Sequence, residues 1–327
     1  MQRRDVLAGL VTALVAPGVA AAQPRKVYRI GVLGFSPATA AMSGPQPSNP
    51  FVAAFLRGMS ELGYVYGEHF VTEPRGAEGR VERYPDFAAE LVRLQVDVIV
   101  AVAASLPALK EATSTIPIVM AGYPDPVGLG FVQSLGRPGT NITGLSLQSI
   151  ELTAKRLELL KELVPAAAVV AVLWDRRSRP VWEEADRAAR SRGWKLLSLE
   201  IRDAADIEAA FKTAKAVRAG SLLAAAGPVV PHFRRVTELA AGHRLPVMYE
   251  FSFFVEAGGL MSYGGDLVDV WQRAATYVDR ILKGRKPADL PIEQPSKYEL
   301  VVNLATAKTL SLPIPTSLRL RADRLIE

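Results

Sequence analysis

The sequence predicts an α/β protein of two lobes, each a parallel sheet covered by helices, and three observations carry that expectation. From Val27 onward, short β-rich runs alternate with helical patterns, as βαβ units do. Most of the strand runs are continuously apolar, which is how strands read when helices cover both faces. Two such blocks follow one another, one ending near Thr143 and the next spanning about 151–259, so the 327 residues divide as two domains.

Taken in order, strands are expected at 27–33, 70–73, 97–101, 116–120 and 141–147 in the first block. In the second they fall at 169–174, 195–201, 221–225, 245–250 and 260–263. Phe51, Phe55, Met59 and Leu62 recur at helical steps ahead of Gly63, laying one apolar stripe on a sheet. Asp203 and Asp206 stand before the stripe of Ile207, Ala210, Phe211 and Ala214. Asp266 and Gly284 bracket another, with Trp271, Ala275, Val278 and Leu282. Residues 298–303 read as a last strand, and with no new domain to hold it the tail is expected to rejoin the first block. The predicted lobes are therefore discontinuous, 27–145 with 264–327 against 146–263. Crossings are expected at 143–148, 262–265 and 291–295, and several crossings favour hinge motion.

The chain opens Gln2-Arg3-Arg4-Asp5, is apolar over 6–19 and reaches Ala20-Ala21-Ala22 before Gln23. A charged head, an apolar core and a small-residue cleavage site make an export signal, so 1–22 is read as a signal peptide cleaved near Ala22. Arg3-Arg4 ahead of Asp5-Val6-Leu7 fits a loose twin-arginine pattern, and a general secretory signal fits as well. The apolar core is shorter than the ~20 residues of a spanning helix, which sets periplasmic release above an uncleaved anchor. The absence of cysteine excludes disulfides, thiol nucleophiles, cysteine metal sites and lipid-modified cysteine anchors. The formal net charge of +6 is spread without basic blocks, so no nucleic-acid partner is expected.

In parallel sheets the loops at the strand carboxyl ends share a rim, and that is where ligands bind in open α/β folds. The first block places Phe35 and Ser36, Ala104 and Ser105, and Tyr123 and Asp125 there. The second contributes Trp174, Asp175 and Arg176, the loop Ala225-Ala226-Gly227, and Glu250 and Phe251. Aromatic groups with a few polar ones suit a small-molecule cleft. Tyr123 and Phe251 either pack the rim or sandwich a planar ligand. Asp125, between two prolines, either caps its own turn or meets an ammonium. Trp174 either closes the core or stacks on ligand. Arg176, Arg177 and Arg179 form a solvated cluster by default; the sharper reading has Arg176 fork onto a carboxylate. Ser36 and Ser105 suit helix capping and hydrogen bonding to an anion alike.

Catalytic constellations are missing. The three histidines lack zinc-binding spacing, no serine sits in a nucleophile elbow, and Gly128-Leu129-Gly130 is an incomplete dinucleotide fingerprint with no strand leading into it. No phosphate-binding lysine loop is present. No enzyme activity, cofactor or metal is therefore expected.

Long stretches resemble one family in order along the chain. They include GMSELGYVYGEHF (58–70), ATSTIPIVMAGYPDPVG (112–128), RPGTNITGLS (137–146), HRLPVMYEFSFFVEAGGLMSYG (243–264) and RAATYVDRILKGRKPADLPIEQPSKYELVVNL (273–304). This is the ABC-transporter substrate-binding family, whose better-known members are linked to aromatic amino acid uptake. The resemblance implies a type I periplasmic binding protein fold: two Rossmann-like lobes, three crossings and a ligand held between them. It also implies delivery of that ligand to ABC permease subunits in the inner membrane, and it does not fix the ligand. The expectation is a monomer that captures a small, aromatic or planar, carboxylate-bearing ligand, an amino acid or aromatic acid. The chain departs from the family pattern at Asp175-Arg176-Arg177, Ala225-Ala226-Gly227 and Ser252-Phe253, making one wall more apolar and another more cationic. The same fold serves as the ligand-sensing partner of a membrane receptor or kinase, which genomic neighbours would distinguish. A repressor's effector domain is excluded because the export signal occupies the place of a DNA-binding helix-turn-helix.

Overall fold

The computed structural model describes residues 26–327; the export signal expected over 1–22 lies outside the described residues. The first sheet contains β1 (Tyr28–Gly34), β2 (Phe70–Gly76), β3 (Val98–Ala101), β4 (Ile118–Tyr123) and β5 (Ile142–Ser146). Between them run α1 (Pro50–Glu61), α2 (Tyr84–Arg93) and α3 (Leu106–Ala112). The order β2-β1-β3-β4-β5 is wholly parallel. Central β3 is buried at every residue, whereas edge strand β2 alternates buried and half-buried positions, as one-sided cover requires.

The chain then passes to α4 (Thr153–Leu163), β6 (Val169–Asp175), α5 (Arg179–Ser191), β7 (Lys195–Ile201), α6 (Ala205–Ala216) and β8 (Ser221–Ala224). There follow α7 (Ala226–Val229), α8 (Phe233–Gly242), β9 (Val247–Tyr249), α9 (Ser252–Glu256) and β10 (Met261–Gly265). Next come α10 (Leu267–Leu282), β11 (Tyr298–Asn303), α11 (Leu304–Thr309), α12 (Thr316–Arg321) and β12 (Arg324–Ile326). The second sheet has the order β12-β11-β10-β9-β8-β6-β7, parallel except where β11 runs antiparallel to β10.

That pairing corrects the expectation for the tail. Residues 298–303 extend the second sheet, with Gly265 opposite Tyr298 and Met261 opposite Val302. The physical reason is that β10 offers an open edge, and Leu300 and Val302 bury their side chains with Met261 and Leu157 of the second lobe. Two parts of the tail do visit the first lobe: α10, and the segment after it, where Ile292 N donates to Leu135 O at 2.7 Å and Leu290 O accepts from the Thr143 hydroxyl at 2.7 Å. Asp266 opens α10 by accepting from Val268 N at 2.9 Å and Asp269 N at 3.2 Å. Its apolar face then lies on α1, with Phe51 stacked on Trp271 and the Tyr64 hydroxyl donating to Asp279 at 3.0 Å. The two helices approach so closely at Gly58 that a Cβ there would stand 2.4 Å from Gln272 O.

Two lobes joined by three crossings result, each sheet covered on both faces. One apolar cluster joins the α1 and α10 face of the first sheet to the α6 and α8 face of the second. The other faces carry α2 with α3 and α4 with α5.

Candidate functional site

The three crossings pack against one another. Ser146 N donates to Glu293 O at 2.9 Å and Glu293 N to Gly144 O at 3.1 Å, so the returning tail runs beside β5. Gly264 passes so close to the 250 backbone that a Cβ would lie 2.2 Å from Glu250 O, which only glycine allows. Between the crossings sits Arg156 of α4, which sequence reasoning missed. Its Nε donates to Tyr263 O and its Nη1 to Ser149 O, both at 2.7 Å. Glu250 Oε1 is 3.6 Å from Nη2 and accepts from the Ser149 hydroxyl. Both charged side chains are almost fully buried, at 3% and 5% exposure. Burial pushes the Arg156 guanidinium pKa down while the Glu250 carboxylate works to hold its proton. Nη2 has no hydrogen-bond partner. The available signal was an arginine on the otherwise apolar stripe of Thr153, Leu157 and Leu160.

At the first lobe's rim, Phe35 and Ala104 pack half-buried on the α2 and α3 core. Ser36 is exposed. Ser105 is buried and donates back to Val102 O at 2.8 Å instead of capping α3. Tyr123 is 6% exposed and meets Phe131 edge-on at 5.1 Å. Burial, with a smaller contribution from the Asp125 charge, pushes its phenol up to about 12, and Arg177 of the second lobe opposes them. Asp125 is folded over its own turn: Oδ1 accepts from Gly128 N at 2.8 Å.

On the second lobe, Trp174 points into the core. Its indole lies parallel to Trp182 at 5.9 Å and donates to Ser198 Oγ at 2.8 Å. Asp175 forms a capping box with Ser178, accepting from its N at 2.9 Å and its hydroxyl at 2.6 Å. Arg176 and Arg177 are exposed and have no partner among the described residues, whereas Arg179 pairs with Glu183 at 3.0 Å. Phe251 stacks on Phe253 at 5.6 Å, which stacks in turn on Phe254. The Ala225-Ala226-Gly227 loop brings no polar side chain.

One contact brings the rims within reach of each other: a Cβ built at Gly79 of the first lobe would stand 3.8 Å from Pro231 of the second. The structure leaves Tyr123 and the arginine loop at the rims of their own lobes, and turns Trp174 into the core and Glu250 into the crossings. No group of three or more His, Asp or Glu able to hold a metal occurs among the described residues.

Residues 42–326 match the family model described as ABC transporter substrate binding protein. The chain belongs to this ABC transporter substrate binding protein family. A tyrosine-binding protein from Clostridioides difficile (strain R20291) is 24% identical over 269 residues, covering 79% of this chain and 75% of that relative. A conserved domain protein from Vibrio cholerae O1 biovar eltor is similar at 26% identity and a TM-score of 0.81, across 92% of this chain and all of that one. A domain from Streptococcus pneumonia solved in complex with L-Trp matches over the same shares, at 24% identity and a TM-score of 0.82. Substrate-binding proteins of this family are extracellular or periplasmic and take small-molecule ligands. Among the described residues no helix is long and apolar enough to cross a membrane.

Proposed function

We propose that this protein is the periplasmic solute-binding component of an ABC importer, holding a small aromatic or planar carboxylate-bearing ligand between its lobes. The observation that carries the reading is the approach of the two rims at Gly79 and Pro231, where a Cβ on the glycine would stand 3.8 Å from the proline, beside crossings that pack on one another. Phe35, Tyr123 and Phe251 would pack the ligand's faces. Ser36, Ala104 and Ser105 would line its edge, and the arginine loop would meet its carboxylate. The two relatives named for or solved with tyrosine and tryptophan support the aromatic class. Ligand would stabilise the shut arrangement only through contacts it makes with both lobes at once. The closed protein would then present its joined faces to permease subunits, as a monomer without catalytic activity of its own.

A thermal-shift screen of the mature chain against amino acids and aromatic acids, with small-angle scattering to follow compaction, tests this. A folded protein that no such compound stabilises or compacts would sink the proposal.

A further inference from the structure

The first crossing is fastened to a different lobe on either side of one residue. Ahead of it, Ser146 N donates to Glu293 O at 2.9 Å and Leu147 N to Tyr123 O at 2.7 Å, which holds the chain to the first lobe. After it, Ser149 O accepts from Arg156 Nη1 at 2.7 Å and the Ser149 hydroxyl donates to Glu250, which holds the chain to the second. Gln148 stands between. Its N donates to Ser146 Oγ at 3.4 Å and its O accepts from Leu152 N at 3.2 Å, so its own two dihedral angles form the joint.

That joint has an uncommon conformation. Gln148 has a φ of 51°, in the left-handed region that a residue with a Cβ disfavours. Gln95, Arg218, Arg244 and Ser311 share that region, but each follows the end of a helix, where a left-handed residue is the ordinary cap. Glu78 shares it with Gly79 as the central pair of a turn closed by Arg80 N donating to Ala77 O at 3.0 Å. Gln148 instead follows strand β5, and its side chain is engaged: the Tyr298 hydroxyl donates to its Oε1. Tyr298 begins β11 where the third crossing ends, and it stands opposite Gly265, the last residue of β10 at the second crossing. One tyrosine therefore meets all three crossings. A left-handed backbone at such a residue persists only where its surroundings hold it, and residues of this kind gather at switch regions.

We propose that Gln148 is a latch between the lobes: the Tyr298 hydroxyl holds its side chain, the side chain keeps its backbone left-handed, and release lets the residue turn and swing one lobe against the other. The latch regulates the interlobe site proposed above and rests on that reading. Apparent affinity scales with the fraction of molecules in the binding arrangement, so the latch sets affinity without touching ligand.

The chain has no cysteine, so Glu82→Cys with Ala204→Cys places a single pair of spin labels on the mature protein. Both residues are exposed, and they follow β2 and β7, each four strands from the strand where the chain crosses, β5 and β10. At about 4.8 Å per strand each edge lies roughly 19 Å from the crossings, so a turn of about 10° moves a label by about 3 Å. Electron double resonance of the protein without ligand reads that distance. Tyr298→Phe and Gln148→Ala, each checked for folding by circular dichroism, are both expected to shift or broaden it by about 3 Å or more. In Gln148→Gly, which takes the left-handed conformation unaided, adding Tyr298→Phe is expected to change nothing further. An unchanged distance in either folded single variant overturns the latch. So does an equal shift from Tyr298→Phe in the glycine background, since the hydroxyl would then act elsewhere. No ligand is present, so these outcomes stand apart from the thermal-shift screen that tests the ligand reading.

Discussion

Glu250→Gln isolates the buried charge pair between the crossings. The amide keeps the shape of the side chain but removes the counter-charge 3.6 Å from Arg156 Nη2, leaving a guanidinium that is 3% exposed with only carbonyl partners. Removing one member of a buried pair costs about 3–5 kcal/mol. Arg156 retains its bonds to Ser149 O and Tyr263 O at 2.7 Å, which places the expectation at the low end, about 3 kcal/mol. At roughly 2–4 °C per kcal/mol for domains of this size, Tm should fall by about 6–12 °C. Urea unfolding followed by far-ultraviolet circular dichroism reads the free energy directly. The double variant Arg156→Met with Glu250→Leu should recover most of the loss, because the uncompensated charge goes with its partner. A Glu250→Gln variant within about 0.5 kcal/mol of wild type would refute the argument, since that is the range of an ordinary surface change.

Further outcomes follow from packing and charge. Trp174→Phe should cost about 1 kcal/mol by losing the indole hydrogen bond to Ser198, while ligand affinity measured by titration stays within about twofold. Gly58→Ala should destabilise by about 1–3 kcal/mol in thermal melts, because the new methyl meets the α10 backbone. The Ser317 hydroxyl, and then Arg321, hold the Glu162 carboxyl below its ordinary range, tying α4 to α12. That contribution is present above the ordinary carboxylate pKa and is lost as pH falls through the lowered folded value. Glu162→Gln should therefore flatten the acid limb of the stability profile, by less than about 1 kcal/mol for so exposed a pair.

Much of the fold was legible because parallel strands covered on both faces announce themselves as unbroken apolar runs. Residues 195–201 and 298–303 are strands with the bounds their sequence suggests. The partner of 298–303 was not legible, because an apolar strand fits any open edge and only the three-dimensional position of β10 chooses one. Short, exposed β12 has too little apolar content to be read as a strand. In the site, the rim position of Tyr123 followed from its place at the carboxyl end of β4. The fate of Asp125 and Asp175 did not: each shows in the sequence as a carboxylate, and only the loop geometry shows which N–H it receives. Arg156 escaped notice because its burial depends on carbonyls more than a hundred residues away, at Tyr263.

The excursion of α10 has a consequence for biogenesis. All five strands of the first sheet are synthesised by residue 146, but the helix that seals α1 and one face of that sheet arrives far later, the Tyr64 to Asp279 contact spanning 215 residues. A nascent chain therefore holds a complete sheet with an uncovered apolar side throughout synthesis of the second lobe. Such exposed surface is what holding chaperones bind and what aggregation draws on. Neither lobe is finished far ahead of the other: the first waits for α10 and Ile292, the second for the strand that follows. Both halves are completed late, and the vulnerable interval of the first sheet runs from residue 146 to residue 282.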